Sequence, residues 1–289
     1  MALSCPAPLR HAMIDIGANL TAHQFGIDLG ATLNRAWSAG VQRIIITGTT
    51  LKESSAAIQL CRQWSGRPET PLLYCTVGCH PHYAADMAPI DDFRRLIDAN
   101  RDVVVAVGEC GLDYERNLSP PDKQRAAFAS QLHLSRDFQL PVFLHARGDC
   151  FDDFCAALEH GHAGPWAGVA HCYTDADLGH LQRLTGQYGL HIGITGWVCD
   201  EREGRGGDLA AVVQHVPLDR LLIETDCPYL MPRNMPRNAL RPRPKFNEPA
   251  LLRYVAEKLA DCYGDGTTAD EIARRSTENA LALFRLNDE

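Results

Sequence analysis

Eight short runs of β-branched and other apolar residues recur along this 289-residue chain, at 14–16, 41–46, 72–77, 103–107, 142–144, 169–170, 190–194 and 221–223. Their starts lie 27, 31, 31, 39, 27, 21 and 31 residues apart. That interval holds one strand and one helix, so the repeat is (βα). Runs such as VVVAV at 103–107 lack polar alternation, which suits strands buried on both faces and hence a parallel sheet. The expected fold is α/β, a single-domain (β/α)8 TIM barrel. The alternative is a doubly wound open sheet, but GANL follows the first run and no GxGxxG turn opens a helix there.

Local signals place several helices in the gaps. Thr50 and Glu53 form a capping box ahead of a segment through Trp64. Pro120 and Pro121 suit a first helical turn, where a missing N–H costs little, and Phe128 and Leu132 then share a face. Pro249 opens a helix whose Leu252, Val255 and Leu259 form an apolar stripe. No Gly/Ser linker divides the chain, so one domain is expected over 13–289, with 1–12 as an N-terminal tail.

A 45% apolar and 22% charged composition excludes a disordered chain. With 28 basic against 36 acidic side chains the net charge is −8, so a polyanion would have to meet a local patch. Eleven cysteines, an odd number without CxxC spacing, point to reduced thiols acting as small buried hydrophobes. The start carries no signal-peptide pattern and no run approaches the roughly 18 apolar residues of a membrane span. A cytoplasmic monomer with no membrane partner is expected.

A TIM barrel builds its site at the C-terminal ends of its strands. Here those ends read Gly78-Cys79-His80-Pro81-His82, Gly108-Glu109-Cys110-Gly111-Leu112-Asp113, His145-Ala146-Arg147, His171-Cys172-Tyr173 and Glu224-Thr225-Asp226. Two imidazoles, from His145 and His171, with Glu109 and Asp226 make a mixed nitrogen and oxygen set for a divalent cation with positions left for water and substrate. Such a cation lowers the pKa of bound water and withdraws charge from a phosphoryl or carbonyl oxygen, while Asp226 orients or deprotonates the water, so hydrolysis is the expected reaction. His80 is expected to face the pocket and act with Glu109 and Asp226 in catalysis. His82 is left open between the pocket and holding its loop, and Asp113 between supporting the site and satisfying turn amides.

The segment at 231–245, MPRNMPRNALRPRPK, carries five cations and no acid directly after the last strand. Arg233 and Arg237 from this loop, with Arg147, are candidate phosphate contacts, since guanidinium forks hold phosphate oxygens. Tyr114 and Tyr173 are read either as base-stacking surfaces or as packing residues.

Seven motifs in order, DIGANLT at 15–21, TVGCHPH at 76–82, VGECGLDY at 107–114, PVFLHAR at 141–147, HCYTD at 171–175, ITGWVCDERE at 194–203 and LLIETDCPYL at 221–230, resemble the TatD family of metal-dependent deoxyribonucleases among the amidohydrolase-like TIM barrels. Most of that wider family carries a His-x-His pair after strand one; here the place reads Gly17-Ala18-Asn19. The G-x-N variant with GWVCDER is similar to bacterial members. The resemblance implies one divalent ion held by Glu109, His145 and His171, with Asp226 beside it as ligand or base. It also implies a Mg2+-dependent 3′–5′ exonuclease of single-stranded DNA and RNA, with Mn2+ or Zn2+ as other occupants, linked to repair of oxidatively damaged DNA. Two further readings compete: an amidohydrolase-type hydrolase of small molecules, and a non-catalytic scaffold that binds nucleic acid or metal.

Overall fold

The computed structural model describes residues 9–286, apart from 27, 203 and 237–243. Its eight strands form one parallel sheet in sequential order: β1 (Met13–Ala18), β2 (Val41–Ile46), β3 (Leu72–Val77), β4 (Val104–Asp113), β5 (Val142–Arg147), β6 (Gly168–Ala170), β7 (His191–Ile194) and β8 (Leu221–Ile223). All eight apolar runs are strands, shifted by a residue at four starts. Around them lie α1 (Leu29–Ser38), α2 (Leu51–Trp64), α3 (Ile90–Asp98), α4 (Pro121–Phe138), α5 (Phe151–Gly161), α6 (Leu178–Gln182), α7 (Gly206–Val212), α8 (Leu252–Tyr263) and α9 (Ala269–Phe284). The expected single-domain TIM barrel is the observed architecture.

Helix starts follow the local chemistry. The Thr50 hydroxyl accepts from the Glu53 N–H at 3.1 Å, and α2 runs on to Trp64. Pro121 occupies the first turn of α4, and Phe128 and Leu132 are buried. Pro249 begins a single 3₁₀ turn that leads into α8 with Leu252, Val255 and Leu259 buried. Of the segment expected as a tail, residues 1–8 lie outside the described residues. Leu9 packs on the core, and the Arg10 N–H donates to Asp270 at 2.6 Å. No helix among the described residues is long and apolar enough to cross a membrane.

Strand alternation divides the core into two layers. Ile14, Ile16, Ile45, Phe143, Val169 and Leu222 form an inner cluster with Ala280 and Phe284 of α9, while a larger cluster fills the space between strands and helices. Two residues further along the same inward face come His145 after Phe143, His171 after Val169, and Glu224 after Leu222. Period two therefore carries the strands from a dry centre to a polar mouth.

The seam between β8 and β1 depends on a side chain. Beyond one bridge at Ala18 and Cys227, Asp15 accepts from the Thr225 N–H at 2.9 Å and from its hydroxyl at 2.6 Å, and the Asp226 N–H donates to Gly17 O at 2.8 Å. Burial pushes the Asp15 carboxyl up to about 7 against the pull of the Thr225 hydrogen bonds. The folded chain thus holds this proton more tightly than the unfolded chain, so the stability it adds is complete below the ordinary value of 3.8 and declines as pH rises towards about 7. Asp15→Asn puts two amide hydrogens where the protonated carboxyl carries one, among these N–H and O–H donors. We expect it to cost about 2 kcal/mol, lowering Tm by roughly 5 °C. The wild-type advantage in urea unfolding should shrink between pH 4 and pH 7; a pH-independent difference would refute this account of the seam.

Candidate metal centre

Glu109, in the middle of β4, is buried at the mouth with one carboxylate oxygen facing three imidazoles. Its Oε1 lies 2.8 Å from His145 Nδ1, 3.3 Å from His171 Nε2 and 3.3 Å from His80 Nε2. Burial raises the Glu109 pKa, but His80, His171 and the bond to His145 outweigh it and hold the carboxyl well below its ordinary value. Burial lowers the His171 pKa, and Glu224 with Glu109 more than reverses this. His145 is raised in the same way by Asp113 and Glu109.

Two groups of donor atoms each lie within 4.8 Å of one another: His80, Glu109 and His145, and His171, Cys172 and Asp226. The four residues expected to share a cation are divided between them, and the 3.3 Å contact of Glu109 with His171 joins the groups. Asp226 is half-buried, accepts from the Asn19 amide at 2.9 Å, and is pushed by burial up to about 7.

Hydrogen bonds on the far side of each ring assign its proton. His171 Nδ1 sits 2.7 Å from Glu224, so Nδ1 carries hydrogen, and it is Nε2 that faces Glu109 and would be offered to a cation once its own proton is displaced. His145 Nε2 lies 3.3 Å from Asp113, which directs Nδ1 towards Glu109. His80 differs. Its Nδ1 accepts from the His82 N–H at 3.0 Å, so in the neutral ring the proton is on Nε2, aimed at Glu109. Protons on His145 Nδ1 and His171 Nε2 satisfy Glu109 here, and a divalent ion that displaced them would meet two imidazole nitrogens and a carboxylate, a donor set chemically fit for it.

Several supports carry little sequence signal. Glu224, two residues before Asp226, is fully buried; it holds His171 and also accepts from the Cys172 N–H at 2.6 Å. Its carboxylate fills space left by two glycines: a Cβ on Gly17 would lie 2.2 Å from Glu224 Oε2, and one on Gly193 would lie 2.5 Å from Oε1. Position 17 therefore has no room for an imidazole in this arrangement. On α4, Gln131 accepts from Cys79 N–H at 2.7 Å and donates to Cys79 O, while Gln124 does the same for Asp113. Their spacing of seven, with Phe128 between, put both on the buried helix face, and that was the available signal.

His82 lies 2.7 Å from Asp113, so it braces the loop, and Asp113 serves both readings by also accepting from the Arg116 N–H at 2.8 Å. Arg147 ends β5 within 3.7 Å of Glu115, and Arg233 lies 3.2 Å from Asp200. Arg237 lies outside the described residues. Tyr114 bonds Asp153 at 2.7 Å, and Tyr173 is buried with a hydroxyl that has no partner. Most described cysteines are buried as expected, but Cys172 is half-buried within the second donor group.

Residues 14–285 match the family described as TatD related DNase. The chain belongs to that family. It is 43% identical over 285 residues, covering 95% of this chain and all of the relative, to "3'-5' ssDNA/RNA exonuclease TatD" of Erwinia amylovora. Among solved structures, a TatD-family hydrolase from Entamoeba histolytica superposes with TM-score 0.82 at 26% identity, covering 94% of this chain and 98% of that one. A TatD homologue from Escherichia coli gives 0.80 at 25%, covering 95% and 98%.

Glu224→Gln presents an amide donor to His171 Nδ1 and drives the ring proton to Nε2. We expect Mn2+ affinity, read by titration calorimetry, to fall 10- to 100-fold with the far-UV circular dichroism unchanged. Gly17→Ala should produce a comparable loss by displacing the Glu224 carboxylate. Wild-type affinity in both variants would remove Glu224 from the centre.

Proposed function

We propose that this protein is a divalent-metal-dependent 3′–5′ exonuclease of single-stranded DNA and RNA. The observation that carries the reading is the buried Glu109 carboxylate 3.3 Å from His171 Nε2, at the mouth of a barrel whose family members are named for this activity. Glu109, His145, His171 and Asp226 would hold a single cation, with Mg2+ as our choice and Mn2+ or Zn2+ compatible with the same donors. A bound cation would lower the pKa of water and draw charge from the phosphoryl oxygens.

The chain's own residues supply positioning and protons. Asp226, held by the Asn19 amide beside the other donors, is placed to orient the attacking water and accept its proton. His80, with hydrogen on Nε2 and a pKa lowered by burial, donates a hydrogen bond towards the reacting phosphate or its leaving oxygen. Arg147, Arg233 and Arg237 would hold flanking phosphates. The 3′ polarity and the repair role rest on family membership and resemblance alone.

End-labelled single strands with Mg2+ are expected to shorten one nucleotide at a time from the 3′ end. Chelation should stop the reaction, and Glu109→Ala should slow it roughly a hundredfold or more. Absence of nucleotide release with any of the three cations, or an unimpaired Glu109→Ala, would remove the proposal. In a separate measurement, Arg233→Ala with Arg237→Ala should weaken binding and reduce the slope of log affinity against log salt by roughly one per lost contact. An unchanged slope would exclude these side chains from phosphate binding.

A further inference from the structure

Two clefts at the barrel mouth meet at Trp197 and Arg205. Trp197 stands on the turn Gly196–Cys199 directly after β7, with its backbone N–H donating to the Thr195 hydroxyl at 3.2 Å, and the Arg205 guanidinium lies 5.0 Å from its ring centre. The smaller cleft, about 290 Å³, carries three guanidiniums, Arg202, Arg205 and Arg233, against one carboxylate, Asp200. The larger, about 450 Å³, has the opposite balance: Glu115, Asp149, Asp175 and Asp208 against Arg147 and Arg205. Tyr173 also lines the larger cleft; it is 7% exposed and its hydroxyl has no hydrogen-bond partner. A buried hydroxyl without a partner is costly, and a ligand edge would satisfy it.

The charge division sorts the parts of a nucleotide. A phosphate is favoured in the cationic cleft and repelled from the acidic one. A base is uncharged and can present amino or imino donors to carboxylates. An aromatic ring with a guanidinium beside it offers a stacking surface between the two.

We propose that Trp197 and Arg205 form a dividing wall on which one base of a single-stranded nucleic acid stacks, with its backbone phosphate in the smaller cleft and its edge against Tyr173 in the larger. This rests on the nuclease reading and adds to it a base-binding subsite. Arg147 and Tyr173 line the larger cleft and follow His145 and His171 by two residues each, so the cleft and the metal centre draw on the same strand ends.

The test is fluorescence anisotropy in Mg2+ with a cleavage-resistant phosphorothioate oligodeoxycytidylate and an abasic strand of the same length and linkages. The wild type is expected to bind the base-bearing strand roughly tenfold more tightly. Trp197→Leu should erase that preference, Trp197→Phe should keep most of it, and Arg205→Ala, an exposed substitution that leaves the core intact, should reduce it a few-fold. Arg202→Ala should weaken both strands equally. A wild type without base preference, or a Trp197→Leu protein that retains it, overturns the subsite. Failure of the nuclease reading shows separately, as an intact unmodified strand in the cleavage assay while the base preference is still present.

Discussion

A carboxylate removed from water persists only when donors or cations surround it. The mouth of this barrel buries Asp15, Glu109, Asp113 and Glu224 close together. Each is met by fixed partners: the Thr225 N–H and hydroxyl for Asp15, three imidazoles for Glu109, His82 with His145 for Asp113, and His171 with a backbone amide for Glu224. Much of the surrounding sequence follows from this requirement. Gly17 and Gly193 clear room for Glu224, and the glutamines of α4 hold the backbone that carries His80 and Asp113.

The barrel was legible because its strands are fully buried and evenly spaced, and both properties survive in a linear string. The strand-end residues were legible for a related reason. A polar residue immediately after a buried run has few other places to go than the mouth, and His80, Glu109, His145, His171 and Asp226 all reach it. Helix starts at Thr50 and Pro121 were readable from capping chemistry that spans only a few residues.

What escaped the sequence depends on partners far apart in the chain. Glu224 and His171 are 53 residues apart, and nothing local distinguishes a carboxylate that orients an imidazole from one that would touch a cation. The expectation of one shared ligand set likewise could not anticipate that Cys172 and His80 join the two donor groups. The cationic loop looked unopposed because Asp200, which pairs with Arg233, lies on the segment after β7. Tautomers belong to the same class, since the proton of His80 is set by the backbone of His82 and that of His171 by a different strand.

The seam between the first and last strands governs when the molecule becomes competent during synthesis. Asp15 and Gly17 leave the ribosome before Thr225, Asp226 and the α9 residues that fill the inner layer, with Asp15 lying 210 residues ahead of Thr225. A nascent or truncated chain therefore displays three histidines and Glu109 without the carboxylates of β8 that complete their surroundings.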